Sequence, residues 1–531
     1  MYLDRFTSAI RCGALLSSVI GLSLFGSLTT AVAAEDSVEG NFVSDIRIEG
    51  AAAAEPAALA RITNQFTGRI LYIEDLVDLT SQITDYYVEA GYITSGAYLP
   101  DQNISAGVLN INVVEGVLSE IAIENSGRYS TRYIENAIRT ELAEPFNVTN
   151  LQDALLKLEN DPRIETVKGQ IRPTSNRGIA VLDLEVAESD PLSFAISTNN
   201  YLSPSIGSEQ VQLSMSHLNV LGLADELFLN LGKSDGYEAV SASYSMPIQF
   251  LDLAVTAYYS SGDTVVVERP FAEIDIKSET DTQGFSLTKS TNFFGGDFLA
   301  FTLGVEKKQS DTSLLGEGFD FSLGSINGKA RASIAYAGIE LKNQGRNSAW
   351  ALTSTWRHGI DAWDATEIGG QPDSQFDSLV SQFEILTRLS GGTVLSLRMN
   401  SQLTHDSLQS FERLPLGGYR SVKGYRQNQL LKDNGWDLLL DYQIPVLNQL
   451  QEQGYFITLV PNVGVARAWD SERYPNIDRA ASISSVGISL VVASSDNWSA
   501  RLDWASCLES KRKQGHELQD DGVYLSLSYD F

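Results

Sequence analysis

The side chains that most often do chemistry are thinly spread in this chain. Four histidines, His217, His358, His405 and His516, lie far apart, with no H-E-x-x-H pair to hold zinc on one helix face. No G-x-S-x-G sets a serine on a nucleophile turn. Gly232-Lys233-Ser234 matches the end of a phosphate-binding loop, but Leu227 stands where its first glycine is required, and a strand entering a turn accounts for the run. Asp and Glu total 67 against 38 Lys and Arg, dispersed as solvated faces usually are. The sequence predicts no enzyme, no catalytic residue, no metal site and no cofactor.

A different chemistry is concentrated in residues 413–430, RLPLGGYRSVKGYRQNQL. Gly417, Gly418 and Gly424 let a backbone bend tightly. Tyr419, Arg420, Lys423, Tyr425 and Arg426 supply long cationic and aromatic side chains, with the smaller Ser421 and Val422 between them. Such a run suits a loop that holds a fixed contact through ion pairs and rings. It would serve equally as an ordinary surface hairpin, so the surrounding elements decide.

Those elements begin after a targeting segment. Arg5 and Arg11 precede or enter an apolar run at 13–28, and Ala31-Val32-Ala33 is a small-x-small cleavage pattern. Residues 1–33 therefore read as a secretory signal peptide, followed by a short linker at 34–41. Of two cysteines, Cys12 lies in the signal and Cys507 is left alone, so no internal disulfide is expected. No later stretch offers about 20 apolar residues for a spanning helix. Membrane insertion would then require a closed β-barrel. The formal charge of −29 argues against nucleic acid as partner.

Residues 42–187 read as two α/β units. In the first, 42–49 is a strand, 74–90 a helix with Leu76, Leu79, Ile83, Tyr87 and Ala90 on one face, Gly91 its stop, and 92–99 and 108–114 two strands. In the second, 118–124 is a strand, 132–142 a helix, Asn150 the cap of another helix, and 164–172 and 179–186 two strands. The repeated order of strand, helix, helix, strand, strand suggests a docking arm. The strands at 93–99 and 179–186 are candidates for an open edge.

From 191 to 531 short alternating segments follow one another. Leu227, Leu229 and Leu231 alternate with Glu226, Phe228 and Asn230, and Leu395, Leu397 and Met399 with Ser396, Arg398 and Asn400. Apolar residues would face lipid and polar ones a lumen. At about 20 residues for a strand and its connection the segment holds about 16 antiparallel strands. Val523, Leu525, Leu527, Tyr529 and Phe531 alternate to the last residue, and Tyr529 and Phe531 fit the recognition signal of an outer-membrane barrel.

Taken together the chain resembles the two-partner secretion (TpsB) transporters of the ShlB/FhaC/HecB type, barrels preceded by periplasmic POTRA domains. Residues 42–116, with GYITSGAYLPDQNISAGVLNINVVEG at 91–116, resemble the first POTRA domain, and 117–187 the second. The run at 417–425 resembles the family's Gly-Gly…Val-Arg-Gly-Tyr signature, which lies at the tip of an extracellular loop folded into the pore and supports secretion. The resemblance implies an outer-membrane barrel with periplasmic POTRA domains that binds a secreted TpsA-like exoprotein and passes it to the surface without nucleotide. It implies outer-membrane lipid and the barrel assembly machinery as further partners, and a monomer. The POTRA residues that bind the partner are not identified by it. Barrel assembly by an insertase is the alternative, although insertases commonly carry more POTRA units; a passive porin would lack the arm.

Three departures follow. Lys423 stands for the signature's Arg, a point charge in place of a planar fork. Gly464 stands where the family's partnering Asp is expected, as if both members of the pair were lost together. Lys423 is then expected to find another lumen carboxylate or to stay hydrated. With few residues between the cleavage site and 42, no plug helix is expected.

Overall fold

The computed structural model describes residues 40–531 apart from 105, 126, 128–130, 160, 162, 249–250, 252, 294–296, 346, 369–371, 447–450, 472–479 and 510–514. The signal peptide, most of the linker and the expectation of no plug helix fall outside the described residues.

The first α/β unit has a three-stranded sheet. Asp45–Glu49 runs parallel to the central Val108–Val114, and Gly96–Tyr98 lies antiparallel on the other side. The single strand expected at 42–49 is broken at Ser44, whose N–H and hydroxyl both donate to Gly107 O, at 2.7 and 3.0 Å. Asn41–Val43 thereby leaves the main sheet and pairs with Arg69–Leu71. The expected strand at 92–99 shrinks to its end because Ser95 N–H closes a turn onto Tyr92 O. The helix Ile73–Glu89 presents Leu79, Ile83 and Tyr87, all fully buried, against Leu109 and Ile111, as 3.6-residue periodicity requires. Gly91, at φ +91°, ends it in a left-handed turn that a glycine adopts without strain. A further helix, Pro56–Thr63, starts on a proline, favoured there because its missing N–H would have had no partner.

The second unit runs Val117–Asn125, helices Thr131–Arg139 and Val148–Glu159, then Ile164–Pro173 and Ile179–Glu188. Ile134, Ile138, Leu151, Ala154 and Leu158 pack on Leu182, Leu184 and Val186. The second helix begins earlier than expected: Asn147, not Asn150, caps it, its Oδ1 accepting Thr149 N–H at 2.8 Å. Ile179–Glu188 is the middle strand of the sheet. The strand expected at 179–186 therefore cannot offer an edge; Ile164–Pro173 and Val117–Asn125 are the outer strands.

Sixteen antiparallel strands close a barrel in sequence order, from Leu192–Asn199 to Val523–Asp530, which pair with each other at the seam. A two-residue strand, Glu317–Gly318, decorates one loop. Strand lengths run from 8 residues at the seam to 18 in the sixth and seventh strands, Ile276–Phe293 and Asp297–Leu314, beyond the roughly 10 needed to cross a bilayer. Alternation works as expected. Phe301, Leu303, Leu502 and Trp504 stand exposed on the outer face, while their neighbours Glu306, Lys308, Arg501 and Asp503 turn inward and are buried or half-buried. Among the described residues no helix is long and apolar enough to span a membrane. The longest connection, 405–433, joins the eleventh strand, Val394–Thr404, to the twelfth, Asn434–Val446.

Candidate functional site

The loop 405–433 does not project from the barrel; it folds into the lumen. Its two limbs pair as a short ribbon, Leu414–Leu416 with Leu430–Lys432, and the run 417–426 forms the tip. Gly417 and Gly418 sit at φ +100° and +97°, a region that L side chains rarely occupy. The bend is closed internally. Ser421 Oγ accepts Gly417 N–H at 2.8 Å, and Gly418 N–H donates to Val422 O at 3.1 Å.

Lys423 is 2 % exposed, and its ammonium meets Asp503, which is fully buried, at 2.7 Å. Asp503 lies on the inner face of the fifteenth strand, Trp498–Cys507. It also accepts from Arg501 Nε and Nη2 at 2.9 Å each, and from the Ser489 hydroxyl. Tyr419 covers the pair: Lys423 Nζ lies 5.5 Å and Arg501 Cζ 5.7 Å from its ring centre, within cation–π range. Tyr419 also stacks on Tyr201, with ring centres 3.8 Å apart. The expectation that Lys423 finds another lumen carboxylate holds. That carboxylate lies on the fifteenth strand, while position 464 on the thirteenth carries a glycine and no anion.

Gly464, on the thirteenth strand Tyr455–Trp469, has a separate part. A Cβ there would lie 3.3 Å from Val422 Cα, so the glycine lets the loop backbone seat against the wall. Val422, fully buried, packs with Leu416, Tyr425, Ala466, Ala468 and Ile483. A carboxylate at 464 would occupy the space the loop fills.

Beyond the tip, Gly424 at φ +91° brings the backbone within reach of the wall: an added Cβ would stand 3.0 Å from Ala505 O. Gly424 N–H donates to Tyr524 Oη at 3.1 Å, and the Tyr524 hydroxyl donates to Tyr425 O. Tyr425 Oη donates to Ser484 O and to Glu509. Burial and the Glu509 carboxylate push the Tyr425 hydroxyl well above its ordinary range. Burial works against the Glu509 anion, but donors from Ser484 and Tyr425 outweigh it and lower its pKa. The proton thus stays on the phenol and the charge on the carboxylate. Arg426 forks onto Asp520 with two bonds of 2.8 Å and reaches Glu268.

All seven signature positions, Gly417, Gly418, Ser421, Val422, Lys423, Gly424 and Tyr425, are therefore brought together on one inner wall. Tyr529 and Phe531 lie elsewhere, at the outer seam, with ring centres 4.7 Å apart and Phe531 N–H bonded to Phe194 O. Asp503, Arg501, Tyr524 and Tyr201 escaped the sequence reading. The alternation Ala500, Leu502, Trp504 would have pointed Arg501 and Asp503 inward.

A chain with this loop inside this barrel has known counterparts. Residues 178–489 match the family described as Haemolysin secretion/activation protein ShlB/FhaC/HecB, and residues 42–116 match the POTRA domain, ShlB-type. The chain belongs to that family. The outer membrane transporter CdiB of Dickeya dadantii is 23 % identical over 73 % of this chain and 70 % of its own length. The hemolysin transporter protein ShlB of Serratia marcescens is 24 % identical over 75 % and 71 %. The solved structure of CdiB from Escherichia coli superposes with a TM-score of 0.68 at 21 % identity, covering 99 % of this chain and 96 % of that one. The protein is an outer-membrane transporter of two-partner secretion with its POTRA domain N-terminal to the barrel, in a family of transporters rather than enzymes whose members secrete partner exoproteins.

Proposed function

We propose that this transporter takes an unfolded, β-rich exoprotein, TpsA-like and related to haemolysins or adhesins, from periplasm to cell surface. Both α/β units act as its receptor, the second (117–187) being a POTRA domain like the first. An extended segment of the partner adds a strand to an open sheet edge, with main-chain hydrogen bonds giving affinity and side-chain pockets giving specificity. Ile164–Pro173 suits this best among the edges, because it is ten residues long and mostly exposed along its length. The partner then passes through the barrel as the loop yields, and folding outside biases movement outward. The observations that carry this reading are a lumen loop seated on polar anchors and, in the N-terminal α/β units, outer strands with an open edge.

The signature residues from Gly417 to Tyr425 hold the loop and so the barrel's resting form. Tyr529 and Phe531 mark the strand that the barrel assembly machinery reads, and the apolar outer wall meets outer-membrane lipid. The protein works as a monomer.

Secretion tests the reading. The full chain, and a version lacking residues 42–187, are expressed with the N-terminal secretion domain of a candidate exoprotein. The secretion domain is expected at the surface or in the medium with the full chain only. Secretion by the shortened, correctly inserted barrel would remove the arm as receptor. Failure by both, with loss of other outer-membrane proteins when the gene is deleted, would point to insertase activity.

A further inference from the structure

The lumen loop is tied to a second wall, by a residue outside the signature. Glu412 closes the single turn Ser410–Glu412 in the loop's first limb, and its side chain is 5 % exposed. Its Oε1 accepts from Lys308 Nζ at 2.8 Å, and its Oε2 from Arg357 Nη2 at 3.0 Å and Nε at 3.2 Å. Gln402 Nε2 donates to its main-chain carbonyl at 2.9 Å. Lys308 belongs to the seventh barrel strand and Arg357 to the ninth, Ser348–Ile360. Asp503, which holds Lys423, belongs to the fifteenth. In a closed ring of sixteen the seventh and fifteenth strands face each other across the lumen. The loop is a bar pinned at both walls, and the pins have opposite polarity: a loop anion on wall cations at one end, a loop cation on a wall anion at the other.

Each wall site also carries its own counter-ion. Arg357 Nη2 and Lys308 Nζ reach Glu306 at 2.5 and 3.6 Å, and Tyr258 donates to Glu306 at 2.6 Å. Across the lumen Arg501 stays on Asp503. A buried charge stripped of its partner is strongly unfavourable. At these two pins the loop can leave without stripping the wall anion, because Glu306 remains with its two cations and Asp503 with Arg501. Both pins are thus bonds that can be undone and remade, unlike a simple buried pair.

We propose that Glu412 is a positioning residue for transport: it latches the lumen loop to the wall formed by the seventh and ninth strands, and both this latch and Lys423–Asp503 must release before the loop clears the lumen. The inference rests on the reading of the loop as occupant of the resting pore, and adds a second, independent hold. It is tested on the purified full chain in planar lipid bilayers, where opening is read as conductance without any partner. Glu412→Gln is expected to raise the frequency of open events roughly tenfold or more, although Lys423 and Asp503 are untouched. Glu412→Gln combined with Lys423→Gln is expected to exceed either alone. Glu412→Lys with Arg357→Glu, which restores opposite charges, is expected to return the conductance toward that of the native chain, as a merely structural residue would not. Lys308→Gln, leaving Arg357 in place, gives an intermediate rise and serves if Glu412→Gln does not fold. A Glu412→Gln or Lys308→Gln channel indistinguishable from native while Lys423→Gln opens would overturn the latch alone. Silence in all variants would overturn it together with the loop's place as pore occupant, whereas secretion with and without residues 42–187 tests the receptor separately.

Discussion

The lumen loop and the outer strands of the α/β units face the same problem and meet it in opposite ways. Both are stretches of backbone without the regular neighbours of a closed sheet. Within the loop tip, hydroxyls, glycine turns and wall tyrosines satisfy the main chain, and Lys423 and Arg426 end on the buried carboxylates Asp503 and Asp520. Along Ile164–Pro173 only one side is paired, to Ile179–Glu188, while Glu165, Thr166, Lys168 and Gln170 stand exposed. A site that must hold a state is tied at many points, and a site that must receive a chain is left open.

The comparison breaks first at Asp503. Asp503→Asn removes the anion between two cations, Lys423 and Arg501, and leaves both in a buried site. The expected loss of loop docking is about 3–5 kcal/mol, read as a fall in the temperature at which the barrel unfolds and a rise in conductance. Lys423→Gln should cost less, about 1–3 kcal/mol, because Asp503 keeps Arg501 and Ser489. Equal effects would mean that the lysine, not the aspartate, organises the site.

That asymmetry also marks how far the sequence could be read. The barrel was legible because Leu, Phe and Trp alternate with polar residues on strand after strand, a period no helix shares. The loop was legible because three glycines within eight residues, between tyrosines and cations, fit little else. Its partners were not. Lys423 and Asp503 are 80 residues apart, and Lys308 and Glu412 are 104 apart; which inward side chains meet the loop depends on barrel closure and on how deep the loop sits. The part played by Gly464 was hidden for a physical reason, since it serves the loop by having no side chain. In the arm, element types were readable from periodicity, but strand order was not, and so 179–186 looked like an edge while being the centre. Ser44, one of several polar residues in the expected strand, split it into two by bonding across to Gly107.

Gly424→Ala tests whether the tip needs its glycine as well as its charges. At φ +91°, with Ala505 O at 3.0 Å from the new methyl, the substitution is expected to cost about 1–3 kcal/mol, less than Asp503→Asn. It should also loosen Tyr425, because the bonds from Gly424 N–H to Tyr524 and from Tyr524 to Tyr425 O lie on either side of it. The readout is unfolding temperature and the fluorescence or proteolytic exposure of the loop. An unchanged barrel would show that the backbone approach at Ala505 is looser than the seating of Lys423 demands.

The smallest effect belongs at the open edge. If main-chain bonds carry capture of the partner, an exposed edge side chain such as Lys168, which makes a 3.5 Å surface ion pair with Glu185, contributes little. Lys168→Ala is then expected to change affinity for the secretion domain less than about threefold. Amide hydrogen exchange along Ile164–Pro173 should nevertheless slow when that domain binds, while Ile179–Glu188, already paired on both sides, shows little change. A large loss from Lys168→Ala without new amide protection would make the arm a side-chain receptor. The contrast with the loop would then vanish, because both sites would hold their partners through charge.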